Sequence, residues 1–292
     1  MFLRNCKSAI YLRFLIACVI CAAAGQVLQT LLCGKWISGV TSLDKLLYVL
    51  HSGMSSDQIK VYDKDSYRLK RKLTVRGLIS AGDIAACGHN RCAYVSDGES
   101  DRVHKLALPA GADVRSWPVN DKPFGLSVTD SHTVLVTCGD VILSKIKEFG
   151  TDGQLFRQLQ LPGDVMSPLH TVKLSSKQFM VCHGQSRHRV CLLSCDGQLV
   201  ESSYGGSPGS GSQQMNEPAH LAVDRNGYVF VADYNNSRVL LLSPSLTYIR
   251  EVVSRNKLVG WPVRLCLDEA RSRLYVAVNV CGVGGHVLVL SI

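Results

Sequence analysis

Two histidines occupy the same place in two short strings, Pro168-Leu-His170 and Pro218-Ala-His220, and the matching strings Pro123-Phe-Gly125 and Pro262-Val-Arg264 carry a glycine and an arginine there. Neutral imidazole is a good zinc ligand, and three ligands with an open fourth position make a catalytic zinc centre. Asp83, at the corresponding place of an earlier segment, is the available third ligand. A zinc centre is therefore one chemistry open to these residues. The competing reading spends both imidazoles on hydrogen bonds to strand-end backbone, since buried polar atoms need partners. We adopt the second reading, which assigns no metal, no cofactor and no catalytic residue.

A second set is suited to recognition: Arg102, Arg187, Arg189, Tyr234, Asn235, Asn236 and Arg238. Guanidinium groups beside an aromatic ring hold phosphates and stack on unpaired bases, and the same residue types anchor protein interfaces. The expected partners are protein first and single-stranded RNA second, with no DNA. Asn235-x-Ser237 is also a glycosylation acceptor if the chain is secreted. Other chemistry is excluded by context. Cys18-x-x-Cys21 with Cys33 lies in an apolar stretch without a fourth ligand, and Gly82 to His89 and Gly282 to Gly285 lack the strand-to-helix setting of a phosphate loop. No Gly-x-Ser-x-Gly elbow and no RING-type Cys/His array occurs.

The 292 residues are 46% hydrophobic and 19% charged, which is the composition of a globular protein. A net charge of +9 favours acidic partners. Part of it lies in Lys60, Lys64, Arg68, Lys70, Arg71, Lys72 and Arg76, whose alternation with Tyr67, Leu69 and Leu73 predicts a lysine-protected outer strand. Residues 1–24 have a basic flank, an apolar run from Phe14 and an Ala22-x-Ala24 site, the order of a signal peptide, signal anchor or N-terminal extension. If uncleaved, residues 9–24 are the expected membrane contact. The cysteines argue for a reducing compartment: of 12, the nine after residue 24 are an odd number set mostly in apolar runs.

These residues must be positioned by a repeat. Tyr48, Tyr94, Leu135, Met180, Phe230 and Tyr275 centre six β-rich runs, spaced 46, 41, 45, 50 and 45 residues apart. That period, with several strands per unit, predicts an all-β propeller of six blades, each of four antiparallel strands. The blades are expected at about 36–79, 80–121, 122–166, 167–215, 216–260 and 261–292. The fifth shows the pattern best: a strand over 218–223, a tight turn needing Gly227 at positive φ, a strand over 228–232, a loop through Ser237, then strands over 238–242 and 246–253. Asp97 and Arg102 repeat the spacing of Asp233 and Arg238, so both pairs are expected as structural ion pairs. Ser203 to Ser212 is expected as a long inter-blade loop.

Pro218-Ala-His-Leu-Ala-Val-Asp224, Asn226-Gly-Tyr-Val-Phe-Val-Ala-Asp233 and Tyr234-Asn-Asn-Ser-Arg-Val239 resemble the NHL repeat of six-bladed propellers. With Lys145 to Phe149, Asp152-Gly153, Leu161-Pro162, Val181 to Gly184 and Tyr204-Gly-Gly206, the likeness extends to invertebrate NHL-repeat proteins related to the propeller end of tripartite-motif proteins. It is close over 122–292 and weaker over 36–121. The resemblance implies a non-catalytic platform for protein–protein interaction or for RNA. It also implies that an amidating lyase of this fold would hold zinc at the level of Asp83, His170, His220 and Arg264, residues expected at one mouth of the channel. RING, B-box and coiled-coil segments are absent, so a role in ubiquitin ligation would need a separate RING partner. Because the last unit has only three strands, residues 26–32 are expected to close the ring beside 286–291.

Overall fold

The computed structural model describes residues 25–52, 58–111, 114–139, 144–184 and 187–292. The readings of residues 1–24 lie outside them. Runs of β-branched and aromatic residues alternate in and out, and tight turns separate them, so each unit folds as an antiparallel meander. The first blade is β2 (Ile37–Leu43), β3 (Leu46–His51), β4 (Ile59–Asp63) and β5 (Leu69–Leu73). The second is β6 (Ala81–Cys87), β7 (Cys92–Asp97), β8 (Arg102–Ala107) and β9 (Arg115–Pro118). The third is β10 (Pro123–Val128), β11 (Val134–Cys138), β12 (Lys145–Phe149) and β13 (Leu155–Gln160). The fourth is β14 (Pro168–Lys173), β15 (Phe179–His183), β16 (Arg189–Leu193) and β17 (Val200–Gly205). The fifth is β18 (Pro218–Val223), β19 (Val229–Asp233), β20 (Arg238–Leu242) and β21 (Tyr248–Val253).

The sixth blade joins the two ends of the chain. β22 (Trp261–Asp268), β23 (Arg273–Val280) and β24 (Gly284–Ser291) come from its end, and β1 (Val27–Leu32) is the outer strand. β1 runs antiparallel to β24 with Leu32 opposite His286, Leu31 opposite Val287 and Val27 opposite Leu290. The latch expected from residues 26–32 is therefore present, and the inner strands β2, β6, β10, β14, β18 and β22 contact one another in a closed cycle.

The core is six apolar clusters, each at the seam between two blades. Tyr48, Tyr94 and Tyr275, three of the repeat-centre residues, are among its largest fully buried side chains. Gly227 turns between β18 and β19 at φ +85°, closed by hydrogen bonds between Asp224 and both Gly227 and Tyr228. The expected inter-blade loop is present but spans residues 206–217: Ser203 to Gly205, expected within it, continue β17 by pairing with β16. All nine described cysteines are free; six are buried, while Cys195 and Cys281 are exposed. Burial pushes the thiols of Cys138, Cys182 and Cys191 up to about 12.

Candidate functional site

Every inner strand breaks register at its first residues, between Ile37 and Gly39, Ala81 and Ile84, Pro123 and Leu126, Pro168 and His170, Pro218 and His220, and Pro262 and Arg264. A bulge re-aims one side chain and interrupts the local ladder. Six bulges around one ring therefore set Gly39, Asp83, Gly125, His170, His220 and Arg264 at a single level of the channel. The structure brings together the four polar members predicted from sequence, and it buries Asp83, His170 and His220.

Each of these three side chains reaches one seam onward. Asp83 Oδ2 accepts the Leu126 N–H at 3.0 Å, His170 Nδ1 accepts the Leu221 N–H at 3.4 Å, and His220 Nδ1 accepts the Leu265 N–H at 3.3 Å. The donors follow Gly125, His220 and Arg264, so a side chain of one blade satisfies the free edge of the next inner strand. His170 Nε2 also donates to the Leu126 carbonyl at 3.1 Å, and the two imidazole rings stack with centroids 3.7 Å apart. Arg264 places its Nε 3.1 Å from Asp83 Oδ1 and donates from Nη2 to the Gly82 carbonyl at 2.8 Å. The glycines are needed for fit: a Cβ on Gly125 would lie 2.4 Å from the Leu169 carbonyl oxygen and 2.9 Å from His170 Cδ2.

The charge states follow from this packing. Burial holds His170 well below the usual imidazole value, with His220 adding to the effect. Burial also lowers His220, against the opposing pull of Asp83. Burial alone would raise the Asp83 carboxyl, but Arg264 and His220 bring it well below the usual carboxylate range. The cluster is two neutral imidazoles beside a carboxylate–guanidinium pair.

The donor atoms of Asp83, His170 and His220 lie within 4.8 Å of one another, a spacing that would suit a metal ion. The bonding does not suit zinc. A zinc ligand needs a free nitrogen lone pair. Nδ1 of both histidines already accepts a backbone N–H, and Nε2 of His170 is spent as a donor. His220 Nε2 faces Asp83 Oδ2 at 3.5 Å, and the Arg264 cation lies against the same carboxylate.

The proposed basic rim divides. Arg238 and Arg189 are only 8% and 6% exposed, so neither is available to a phosphate. Arg238 Nε donates to Asp233 at 2.7 Å, and its other nitrogens reach Glu251 and the Ser210 and Gln214 carbonyls, pinning the 206–217 loop. Arg189 pairs with Asp164 at 2.7 Å and donates to His183 Nε2 at 3.0 Å. Asn236 donates to Asp233 and the Gly209 carbonyl, and Asn235 to Asn216 and Glu217. Arg187 is exposed and Tyr234 is half-buried.

Of the two expected ion pairs, Asp233–Arg238 is present and Asp97–Arg102 is not. Arg102 does not reach Asp97; it turns to the Ser116 hydroxyl and carbonyl. Asp97 instead accepts the Ile79 and Ser80 N–H groups and meets His104 Nε2 at 3.3 Å. The equal spacing misleads because His104, two residues beyond Arg102 on the same face of β8, fills the place that Arg238 takes in the fifth blade. The basic run is also not wholly an edge device. β5 is an exposed outer strand, but Lys64 is buried at 2.7 Å from Asp268 and Lys60 donates to the Cys33 carbonyl.

Sequence reasoning missed the aromatic part of this face. Trp36 and Trp261 immediately precede or open inner strands of neighbouring blades, and their rings lie 6.3 Å apart. Tyr234 stacks on Trp261 at 5.9 Å. The available signal was position, since a tryptophan at the mouth of an inner strand has no blade seam to enter.

With this geometry in hand, comparison with solved structures settles the architecture. The fold is that of known β-propellers. The WD40 β-propeller domain of Doa1 is 12% identical, with a TM-score of 0.64, covering 91% of this chain and 96% of that one. A nidogen–laminin complex gives 15% identity and a TM-score of 0.64, covering 80% and 85%. A catalytically inactive virginiamycin B lyase of Staphylococcus aureus, solved with quinupristin, gives 10% identity and a TM-score of 0.64, covering 90% and 98%. No protein-family model matches the chain. At these identities the likeness speaks for the propeller, a fold that serves both enzymes and binding domains.

Proposed function

We propose that the chain is a non-catalytic, NHL-type propeller that serves as a binding platform for protein partners. The observation that carries this reading is the bonding of Asp83, His170 and His220. Their lone pairs satisfy the next blade's inner strand, so the most reactive-looking cluster among the described residues acts as a clamp on the ring. Solved propellers include a complex between two proteins, which supports the choice of protein as partner. The relation to tripartite-motif propellers rests on the blade motifs around residues 218–239, and a place in ubiquitin ligation beside a RING partner belongs to the same reading.

The RNA alternative loses two of its four arginines to internal ion pairs and keeps only Arg187 as a fully exposed one. The lyase alternative has a direct test. Protein expressed in zinc-supplemented medium and passed through desalting should carry zinc well below one ion per chain. Stoichiometric zinc, lost in the His170→Ala and His220→Ala variants, would overturn the non-catalytic reading.

A further inference from the structure

Resting on the platform reading, we infer that the aromatic triad Tyr234–Trp261–Trp36 is the docking strip, and that its occupant is an acidic segment of another protein carrying an aromatic or long apolar anchor. The triad crosses three consecutive blades. Tyr234 comes from the fifth, Trp261 opens the inner strand of the sixth, and Trp36 leads into the first. Trp36, tilted 37° to Trp261 at the end of the triad, is 43% exposed, which leaves a ring surface open to a partner.

Three aliphatic side chains flank the strip on the same rim. Val259 and Val283 are 69% and 72% exposed, and Ile79 is 54% exposed. Val259 leads into Trp261, while Val283 sits in the turn whose next residue, Gly284, packs against Gly34 beside Lys35. Outer strands β1, β5, β13 and β21 also expose large apolar residues, but those at the mouth adjoin an ordered aromatic cluster, which marks them as an interaction surface. The strip is held in place by fixed bonds. Asn279 accepts the Ile37 N–H at 2.8 Å and donates to the Ile37 carbonyl at 2.9 Å, and the Tyr234 N–H donates to the Glu217 carbonyl. A partner would therefore meet aromatic anchors already ordered, the arrangement that concentrates binding energy in few residues.

Charge selects the partner. Lys35, Arg255 and Lys257 lie on the segments that lead into Trp36 and Trp261, Arg76 lies on the loop that carries Ile79, all are exposed, and none forms an ion pair with a carboxylate among the described residues. Four unpaired cations around an apolar strip complement a segment with Asp or Glu beside its anchor. One feature favours a peptide over RNA here. The flanking valines and isoleucine are suited to burying apolar side chains but offer bases no stacking face.

The test is selection of a random peptide display library against the immobilised full chain, followed by titration of the enriched peptides by tryptophan fluorescence. The inference predicts enriched peptides with Trp, Phe or Leu beside Asp or Glu. Affinity should fall at least about tenfold in Trp36→Ala, and should fall with a weaker salt dependence in a Lys35→Glu, Lys257→Glu double variant. Trp36 is exposed, and the charge-reversal sites are surface residues, so both variants should keep the wild-type melting temperature. Peptides that bind the chain but are insensitive to both variants would overturn the strip while leaving the platform reading intact. No enriched peptide, together with an oligouridine that binds wild type and not Trp36→Ala, would overturn both in favour of RNA. No binding of peptide or oligouridine would likewise overturn the strip.

Discussion

Replacing Arg264 by methionine keeps the side-chain volume and removes the cation that Asp83 depends on. Asp83 is 1% exposed, and four groups surround its carboxylate: the Ile84 N–H at 2.9 Å, the Leu126 N–H at 3.0 Å, Arg264 Nε at 3.1 Å and His220 Nε2 at 3.5 Å. Breaking a buried ion pair by deleting one partner costs about 3–5 kcal/mol. The two backbone bonds survive, and the Arg264 side chain is itself 17% exposed, so the lower end of that range, about 3 kcal/mol, is expected at neutral pH. The sign of the pH dependence is distinctive. In wild type the folded Asp83 lies below its unfolded value, so its contribution is complete above about pH 4 and is lost as pH falls below that. In Arg264→Met the buried carboxyl lies above the unfolded value, so its penalty grows as pH rises past it. Urea unfolding should show a gap of about 3 kcal/mol at pH 7 that narrows toward pH 4, with unchanged denaturant slope. Adding Asp83→Asn should recover more than half of the loss. A gap under about 1 kcal/mol, or one equal at both pH values, would refute the reasoning.

Other perturbations probe separate parts of the molecule. Arg238→Ala should cost about 3–5 kcal/mol by stranding buried Asp233, and should open the 206–217 loop to limited proteolysis, read by the site of the first cut. Gly125→Ala should lower stability by about 1–3 kcal/mol, because its Cβ would meet backbone of the next blade, as thermal unfolding would show. Leu31→Ala, at the one buried residue of strand β1, should cost about 2–5 kcal/mol in chemical denaturation. His51, lowered to about 4 by burial, and the channel histidines stay neutral in the fold while the unfolded chain takes up protons below its ordinary imidazole value. Stability should therefore fall from pH 7 to pH 5, by up to about 2 kcal/mol for each imidazole that remains neutral, measured by urea unfolding at both values.

The ring was legible in sequence because each blade repeats the same local physics, with a tyrosine or other large residue centring the second strand and a turn residue closing the first hairpin. The channel level was legible for a related reason: the blade-opening residue and the bulge after it fix where His170, His220 and Arg264 point. The Asp233–Arg238 pair was legible from its spacing, but the further hold of Glu251 on Arg238 and the burial of Arg189 were not, because Glu251 and Asp164 belong to other strands and loops. Asp97 shows the limit of spacing alone, since the competitor for its carboxylate, His104, stands outside the repeated motif. The aromatic strip needed closure of the ring, which sets Trp36 from the start of the chain against Trp261 near its end.

The central claim is that the channel histidines serve the fold and leave zinc no place. Long-range proton–nitrogen correlation spectra of the imidazoles, recorded at neutral pH before and after one equivalent of zinc, test it most directly. The account predicts neutral His170 and His220, each with Nδ1 unprotonated and Nε2 protonated, and no change on adding zinc. Loss of the Nε2 proton from both rings, with metal-induced shifts at one equivalent, would contradict it.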